Sequence, residues 1–222
     1  MGGAAEFEFT IKNQDARFNT TYYFRLYDVT NSRALTLTTG KSYPSVATGG
    51  TSLSFTVAGL GSGVSTEGIT TDVTTTSTSI PLGTLTAGTS VEAAQRLTVT
   101  TNAPQGYQVY AYTNHGLTGK SSTEIPVVSG TNAVPVAWAV TSGATGAFGY
   151  HAGQDVLAGS STRFTANDTY AQFDTTAREI DYSSVPVTSG SSSDLVVRVQ
   201  ITSLQQASIY SATLSYIVVP TF

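Results

Sequence analysis

Cysteine is absent from this chain of 222 residues, and charge is scarce: 10 lysines and arginines and 14 aspartates and glutamates make up 11% of the sequence. Without cysteine there is no disulfide, no thiolate metal site and no cysteine nucleophile. Compartment stays open on that count, because an oxidising exterior permits disulfides without requiring them. The charged fraction is less than half of the ~25% usual in globular domains. The basic residues form no cluster and the net charge is −4, so nucleic acid and anionic membrane surfaces are poor partners. No apolar run reaches the 18 residues of a membrane-spanning helix. No helix-period apolar pattern persists for twelve residues, and no fixed-length repeat is visible.

What fills the space is hydroxyl and aromatic chemistry: 38 Thr, 26 Ser, 12 Tyr and 9 Phe, with 40% of residues hydrophobic. That content buries a core and excludes disorder. Threonine, being β-branched, suits the exposed side of a pleated strand. A weakly charged, Thr/Ser-rich exterior fits an extracellular β-protein better than a cytosolic enzyme. The start, Met1-Gly2-Gly3-Ala4-Ala5, has neither a basic nor an apolar signal region and is read as a mature form with its export signal removed and a start Met added, a protein that is not exported being the alternative. Asn19-Thr20-Thr21 and Asn167-Asp168-Thr169 are glycosylation sequons, marking Asn19 and Asn167.

Short alternating segments broken by Gly, Pro and Asn run through the chain and define the fold class as all-β, an antiparallel β-sandwich, Ig-like or jelly-roll-like, with long loops and little helix. Residues 97–101 and 107–112 alternate on either side of the turn-rich Asn102-Ala103-Pro104-Gln105-Gly106, which reads as a hairpin. Residues 195–202 and 209–219 read as a second one. Residues 70–79, nearly all Thr and Ser, are an edge strand or a linker; residues 136–140 are a strand carrying the single Trp, Trp138, into the core. Residues 143–153 are expected as a Gly/Ala loop, 169–180 as the place for a short helix, and 189–193 as a turn. For domains, residues 1–13 read as a leader with a donor strand and 14–222 as one elaborated sandwich; two small β-domains split near 86–90 are the alternative.

The donor strand is Glu6-Phe7-Glu8-Phe9-Thr10-Ile11-Lys12, which puts Phe7, Phe9 and Ile11 on one face and Glu6, Glu8, Thr10 and Lys12 on the other. Tethered by a Gly/Ala-rich leader, such a strand suits completion of another subunit's sheet. Full burial of three such side chains at ~1.5–3 kcal/mol each supplies roughly 5–9 kcal/mol before association costs. Head-to-tail pairing of this kind does not close on itself and makes a fibre. Pairing of residues 6–12 within their own chain is the alternative.

Catalytic and metal chemistry is thin. His151 and Asp155 lie four residues apart, but zinc needs three or four protein ligands, and His115 is the only other imidazole. Asn167, Asp168, Asp174, Glu179 and Asp181 offer oxygens for Ca²⁺ without the Asp-x-Asp-x-Asp-Gly loop spacing. Glu6 and Glu8 share a strand face as expected of an exposed side, no Gly-x-Ser-x-Gly elbow occurs, and residues 143–149 have a G-x-x-G spacing with no helix to follow. No catalytic residue, cofactor or metal ligand is assigned, and the chain is read as a non-enzyme. Tyr110 and Tyr112, in the Tyr-rich strand, are candidate glycan contacts, against the alternative of rings that pack while their hydroxyls stay wet.

The stretch Ile80-Pro81-Leu82-Gly83-Thr84-Leu85-Thr86-Ala87-Gly88, followed by Leu97-Thr98-Val99-Thr100-Thr101-Asn102-Ala103-Pro104-Gln105-Gly106-Tyr107-Gln108-Val109, resembles a module of secreted bacterial surface proteins. Its pattern is F-G-x-L-x-x-G, then L-x-V-x-T-N-A-x-x-G-Y-x-V. Leu82 stands where that pattern has Phe, and Tyr216-Ile217-Val218-Val219-Pro220 is similar to the way such domains end. The resemblance covers about a sixth of the chain. It groups it with surface-layer, pilus-like and filament-forming β-sandwiches such as the camelysin/TasA-like fibre subunits. It implies a structural role at the cell surface and transfers no catalytic residue. The expectation is a subunit of an extracellular assembly whose partners are copies of itself, with a glycan-binding adhesin and a virion capsid or tail β-sandwich as alternatives.

Overall fold

The computed structural model of the protein describes residues 21–23, 27–28, 33–34, 45–47 and 49–222, apart from 159–160. The chain divides into two units, Met1–Thr51 and Ser52–Phe222. In the first, Thr21–Tyr23 pairs antiparallel with Ser45–Ala47, and Tyr27–Asp28 with Arg33–Ala34. Phe7, Phe9, Ile11 and Asn19 lie outside the described residues.

The second unit is built on seven longer strands: β1 (Leu53–Gly59), β2 (Ser90–Thr101), β3 (Tyr107–Thr113), β4 (Gly146–Ala152), β5 (Arg178–Ser183), β6 (Val187–Ile201) and β7 (Leu214–Pro220). They form a four-stranded sheet ordered β4-β6-β2-β1 and a three-stranded sheet ordered β5-β3-β7, antiparallel throughout. Alternation sets the faces. In β3, Tyr107, Val109, Ala111 and Thr113 are buried while Gln108, Tyr110 and Tyr112 are half-buried on the other side. The inner faces of both sheets share one core, in which Leu97, Val99, Leu195 and Val197 meet Tyr107, Val109 and Ile180. Phe148 stacks on Phe173 at 4.8 Å between centroids. The fold is the all-β sandwich of the sequence reading. Its four-plus-three strand count matches an immunoglobulin constant domain, but the third strand, not the sixth, is central in the smaller sheet.

Neither expected hairpin forms. Both edges of β2 are taken, by β1 and β6, so β3 has no edge of β2 to pair with and crosses to the other sheet. Gly106 makes that crossing: its φ is +73°, and a Cβ there would lie 2.1 Å from the Ser183 carbonyl oxygen. Likewise β6 is flanked by β2 and β4, so β7 pairs with β3 instead. Residues 189–193 are not a turn but part of β6, which carries a register shift between Val187 and Ser191.

Residues 143–153 are not a loop either. They contain β4, whose seven residues are all buried. One face enters the main core through Phe148 and Tyr150; the other is covered by a second small core of Val128, Ala147 and Tyr170 with Trp138 packed against it. Small residues serve that close approach: a Cβ on Gly149 would sit 2.7 Å from a Val128 methyl. Trp138 is therefore half-buried outside the main core, donating from Nε1 to Gln200 Oε1 at 3.0 Å with the Arg198 guanidinium over its ring.

Residues 169–180 hold no helix. Thr169–Tyr170 pairs with Val136–Ala137, and among the described residues the one helical element is a 3₁₀ turn at Lys120–Ser122. No helix among them is long and apolar enough to cross a membrane. Residues 71–79 form no strand; backbone bonds from Thr71 N to Val64 O at 3.0 Å and from Thr75 N to Leu60 O at 2.9 Å are joined by side-chain ones, the hydroxyl of Thr71 donating to Gly61 O at 2.6 Å and that of Thr75 to Ala94 O at 2.5 Å.

Candidate functional site

A two-sheet sandwich has four outer edges, and here they are treated unequally. The outer edge of β4 meets Val127 through a parallel bridge at Phe148 and Ala171 through an antiparallel bridge at Tyr150. The outer side of β5 is closed by side chains: Asn132 Nδ2 donates to the Glu179 carbonyl at 2.9 Å, and Gln154 Nε2 to that of Tyr182 at 3.0 Å. Among the described residues, no strand pairs with the outer edge of β1 or of β7. The Gly59 end of β1 is tightly covered: a Cβ there would meet the Thr75 carbonyl oxygen at 2.1 Å.

These two uncovered edges lie on the same flank. Phe55 of β1 and Tyr216 of β7 meet edge-to-face at 6.2 Å. Phe55, Val57, Leu214, Tyr216 and Val218 point inward yet are only partly buried. Tyr216 anchors the seam between the sheets by donating its hydroxyl to Gln95 Oε1 of β2 at 2.8 Å, and burial raises its pKa. The flank thus presents two backbone edges of seven residues each with an apolar seam between them, the arrangement that strand addition uses. Sequence reasoning gave both strands their alternation but did not pick them out as the open edges, because edge status depends on which other strands are already paired.

Tyr110 and Tyr112 project from the outer face of β3. Tyr110 donates its hydroxyl to Gln108 Oε1 at 3.0 Å and sits opposite Ile217, while Gln108 sits opposite Val219. Ile217 and Val219 are 43% and 40% exposed, so the tyrosines belong to an open, partly apolar sheet face.

The other residues singled out from sequence disperse. His151 is buried, Nδ1 2.8 Å from the Thr169 carbonyl oxygen and its ring edge-on to Phe164. Burial lowers its pKa, with the Thr169 carbonyl acting in the opposite sense. Asp155 is exposed, and His115 is exposed with Nδ1 2.7 Å from Gly116 O. The carboxylates considered for Ca²⁺ go to separate partners: Asp168 to Arg198, Asp174 to Arg178, Glu179 to Arg163. Asp181 is buried beneath the Tyr107 hydroxyl at 3.1 Å, and burial raises its pKa against the hydroxyls of Ser193 and Tyr107. Among the described residues no three metal-ligating side chains of His, Cys, Asp or Glu converge. Asn167 is exposed on a turn closed by Thr169, whose hydroxyl donates to Ala166 O at 2.7 Å.

The most ordered charged contact lies on the outer face of the larger sheet. Arg96 and Asp194, directly opposed in register, form a two-bond fork at 2.8 Å each, and the Thr66 hydroxyl adds a third bond to Asp194. Burial opposes ionisation of Asp194, but Arg96 and Thr66 together hold its pKa below the ordinary value. Three bonds on one carboxylate make this a structural clasp between β2 and β6. No protein-family model matches the chain, and no curated protein matches it.

Proposed function

We propose that the protein is a structural subunit of an extracellular, cell-surface assembly, a homopolymer whose copies join by strand addition along the β1/β7 flank. Residues 6–12 of one copy supply the added strand, with Phe7, Phe9 and Ile11 turned toward the seam of the next. The observation that carries this reading is the coincidence, on one flank, of two edges without a strand partner among the described residues and the half-buried inward side chains between them. An added strand gains main-chain hydrogen bonds and drains water from the seam in the same step. The hydroxyl-rich, weakly charged exterior supports an extracellular setting. Because donor and acceptor are different surfaces of the chain, the contact is heterologous and propagates into a filament.

Deletion of residues 1–12 is expected to abolish polymers, seen by electron microscopy and size-exclusion chromatography, while leaving a β-rich monomer by circular dichroism. A truncated protein that assembles as the full chain does sinks the proposal.

One observation favours a second reading, a glycan-binding adhesin: Tyr110 and Tyr112 stand together on an open sheet face. If that reading holds, Tyr110→Ala with Tyr112→Ala removes binding on a glycan array; an unchanged array profile discards it.

A further inference from the structure

At one end of the sandwich a cavity of about 640 Å³ opens between residues 77–83 and 210–214 and reaches down to the main core. Its depth is apolar, formed by Leu117, Phe148, Phe173 and Val197, with Leu82 and Leu214 higher on the walls. The volume falls within the about 300–1,000 Å³ typical of small-molecule sites. The rim is made of hydroxyls, among them those of Ser77, Thr78 and Ser211.

Two features narrow what fits. First, none of the residues lining the cavity is Asp, Glu, Lys, Arg or His. A charged ligand would lose its hydration there with no countercharge, so an ion is disfavoured. Second, Thr113 lines the cavity at 3% exposure and brings a hydroxyl-bearing side chain beside the apolar depth. Its neighbours in the wall are already engaged: Gln95 Nε2 donates to Thr76 O at 2.6 Å, and Gln95 Oε1 accepts from Tyr216. A hydroxyl can both donate and accept, which makes Thr113 the group in this wall that a ligand's own hydroxyl or carbonyl would meet.

We propose that this cavity binds a small uncharged amphiphile, a chain or ring with one hydroxyl or carbonyl, its apolar body against Phe148 and Phe173 and its polar group on Thr113. The site shares Leu214 and Tyr216 with the β1/β7 flank but does not rest on the polymer reading.

The probe is N-phenyl-1-naphthylamine, uncharged and fluorescent in apolar surroundings, titrated into the full chain. Saturable binding of one probe per chain is expected, displaced by 1-decanol at least tenfold better than by decanoate. Leu82→Trp and Ala212→Phe, each filling the cavity from a different wall, abolish the signal in whichever variant retains the wild-type melting transition. Thr113→Val leaves probe binding intact but weakens displacement by decanol about tenfold. Non-saturable probe binding, equal displacement by decanoate, or full binding by a folded filled variant overturns the site. An unchanged decanol response in Thr113→Val overturns the contact assigned to that hydroxyl. Loss of probe as the protein self-associates, with no displacement by decanol, gives the cavity to a second copy and also overturns the proposal.

Discussion

At the scale of single residues, the polar groups that entered the interior show most directly how this charge-poor chain uses the few ionisable side chains it has. His151 is 1% exposed and stays neutral in the fold because burial lowers its pKa. The unfolded chain accepts a proton near the ordinary imidazole value of about 6.5, before the folded ring does. Its contribution to stability is therefore complete above that pH and is lost as pH falls through it, levelling once the folded ring is itself protonated. Asp181 has the opposite sign: burial raises its pKa, so its contribution is complete below the ordinary carboxylate range and lost as pH rises through the folded value. His151→Phe isolates the first effect. Between pH 7.5 and 5.5 the urea midpoint of the wild type is expected to fall more than that of the variant; parallel declines remove His151 as the cause.

At the scale of elements, the turns that send the chain between sheets are more demanding than those that do not. Gly106 and Gly143 both have positive φ, +73° and +79°, but a Cβ on Gly106 would strike the Ser183 carbonyl whereas Gly143 has nothing within 4 Å. Gly143→Ala is expected to cost about 1–2 kcal/mol, the left-handed penalty alone. Gly106→Ala adds overlap with a backbone atom and is expected to cost about 2–4 kcal/mol in all. Chemical denaturation of the two variants side by side checks this, and equal costs would mean that the crossing is not sterically fixed. The same logic separates the edges: β4 and β5 are closed by bridges and by Asn132 and Gln154, while β1 and β7 are left without a strand partner among the described residues.

At the scale of the whole molecule, the absence of cysteine makes the proposed contact directly testable. Thr56 and Ile217 face outward from the edge strands β1 and β7, and in the strand proposed for residues 6–12 period-two alternation sets Thr10 apart from Phe7, Phe9 and Ile11. Thr10→Cys protein mixed with Thr56→Cys or with Ile217→Cys is expected to form an oxidised cross-linked dimer with one of the two, identifying which edge takes the strand. Dimers with neither, alongside intact polymers, would place residues 6–12 elsewhere and leave assembly to another surface.

The sequence by itself determined the all-β class, the inward and outward faces of the strands, and the dispersal of charge, because side-chain alternation and composition are local properties. Residues 107–113 illustrate this: every inward and outward position follows from period two. Strand partners were not legible. The segments on either side of Asn102 and Gly106 read as a hairpin, yet a strand has only two edges, and those of β2 are taken by strands 30 or more residues distant on one side and some 90 on the other. The Gly/Ala segment at 146–152 read as a loop for a related reason: its thinness suits burial between two layers, and no local signal announces a second layer. The β1/β7 flank, whose edges no strand pairs among the described residues, and the uncharged cavity, on which both proposals rest, are likewise products of long-range pairing, which only the tertiary structure decides.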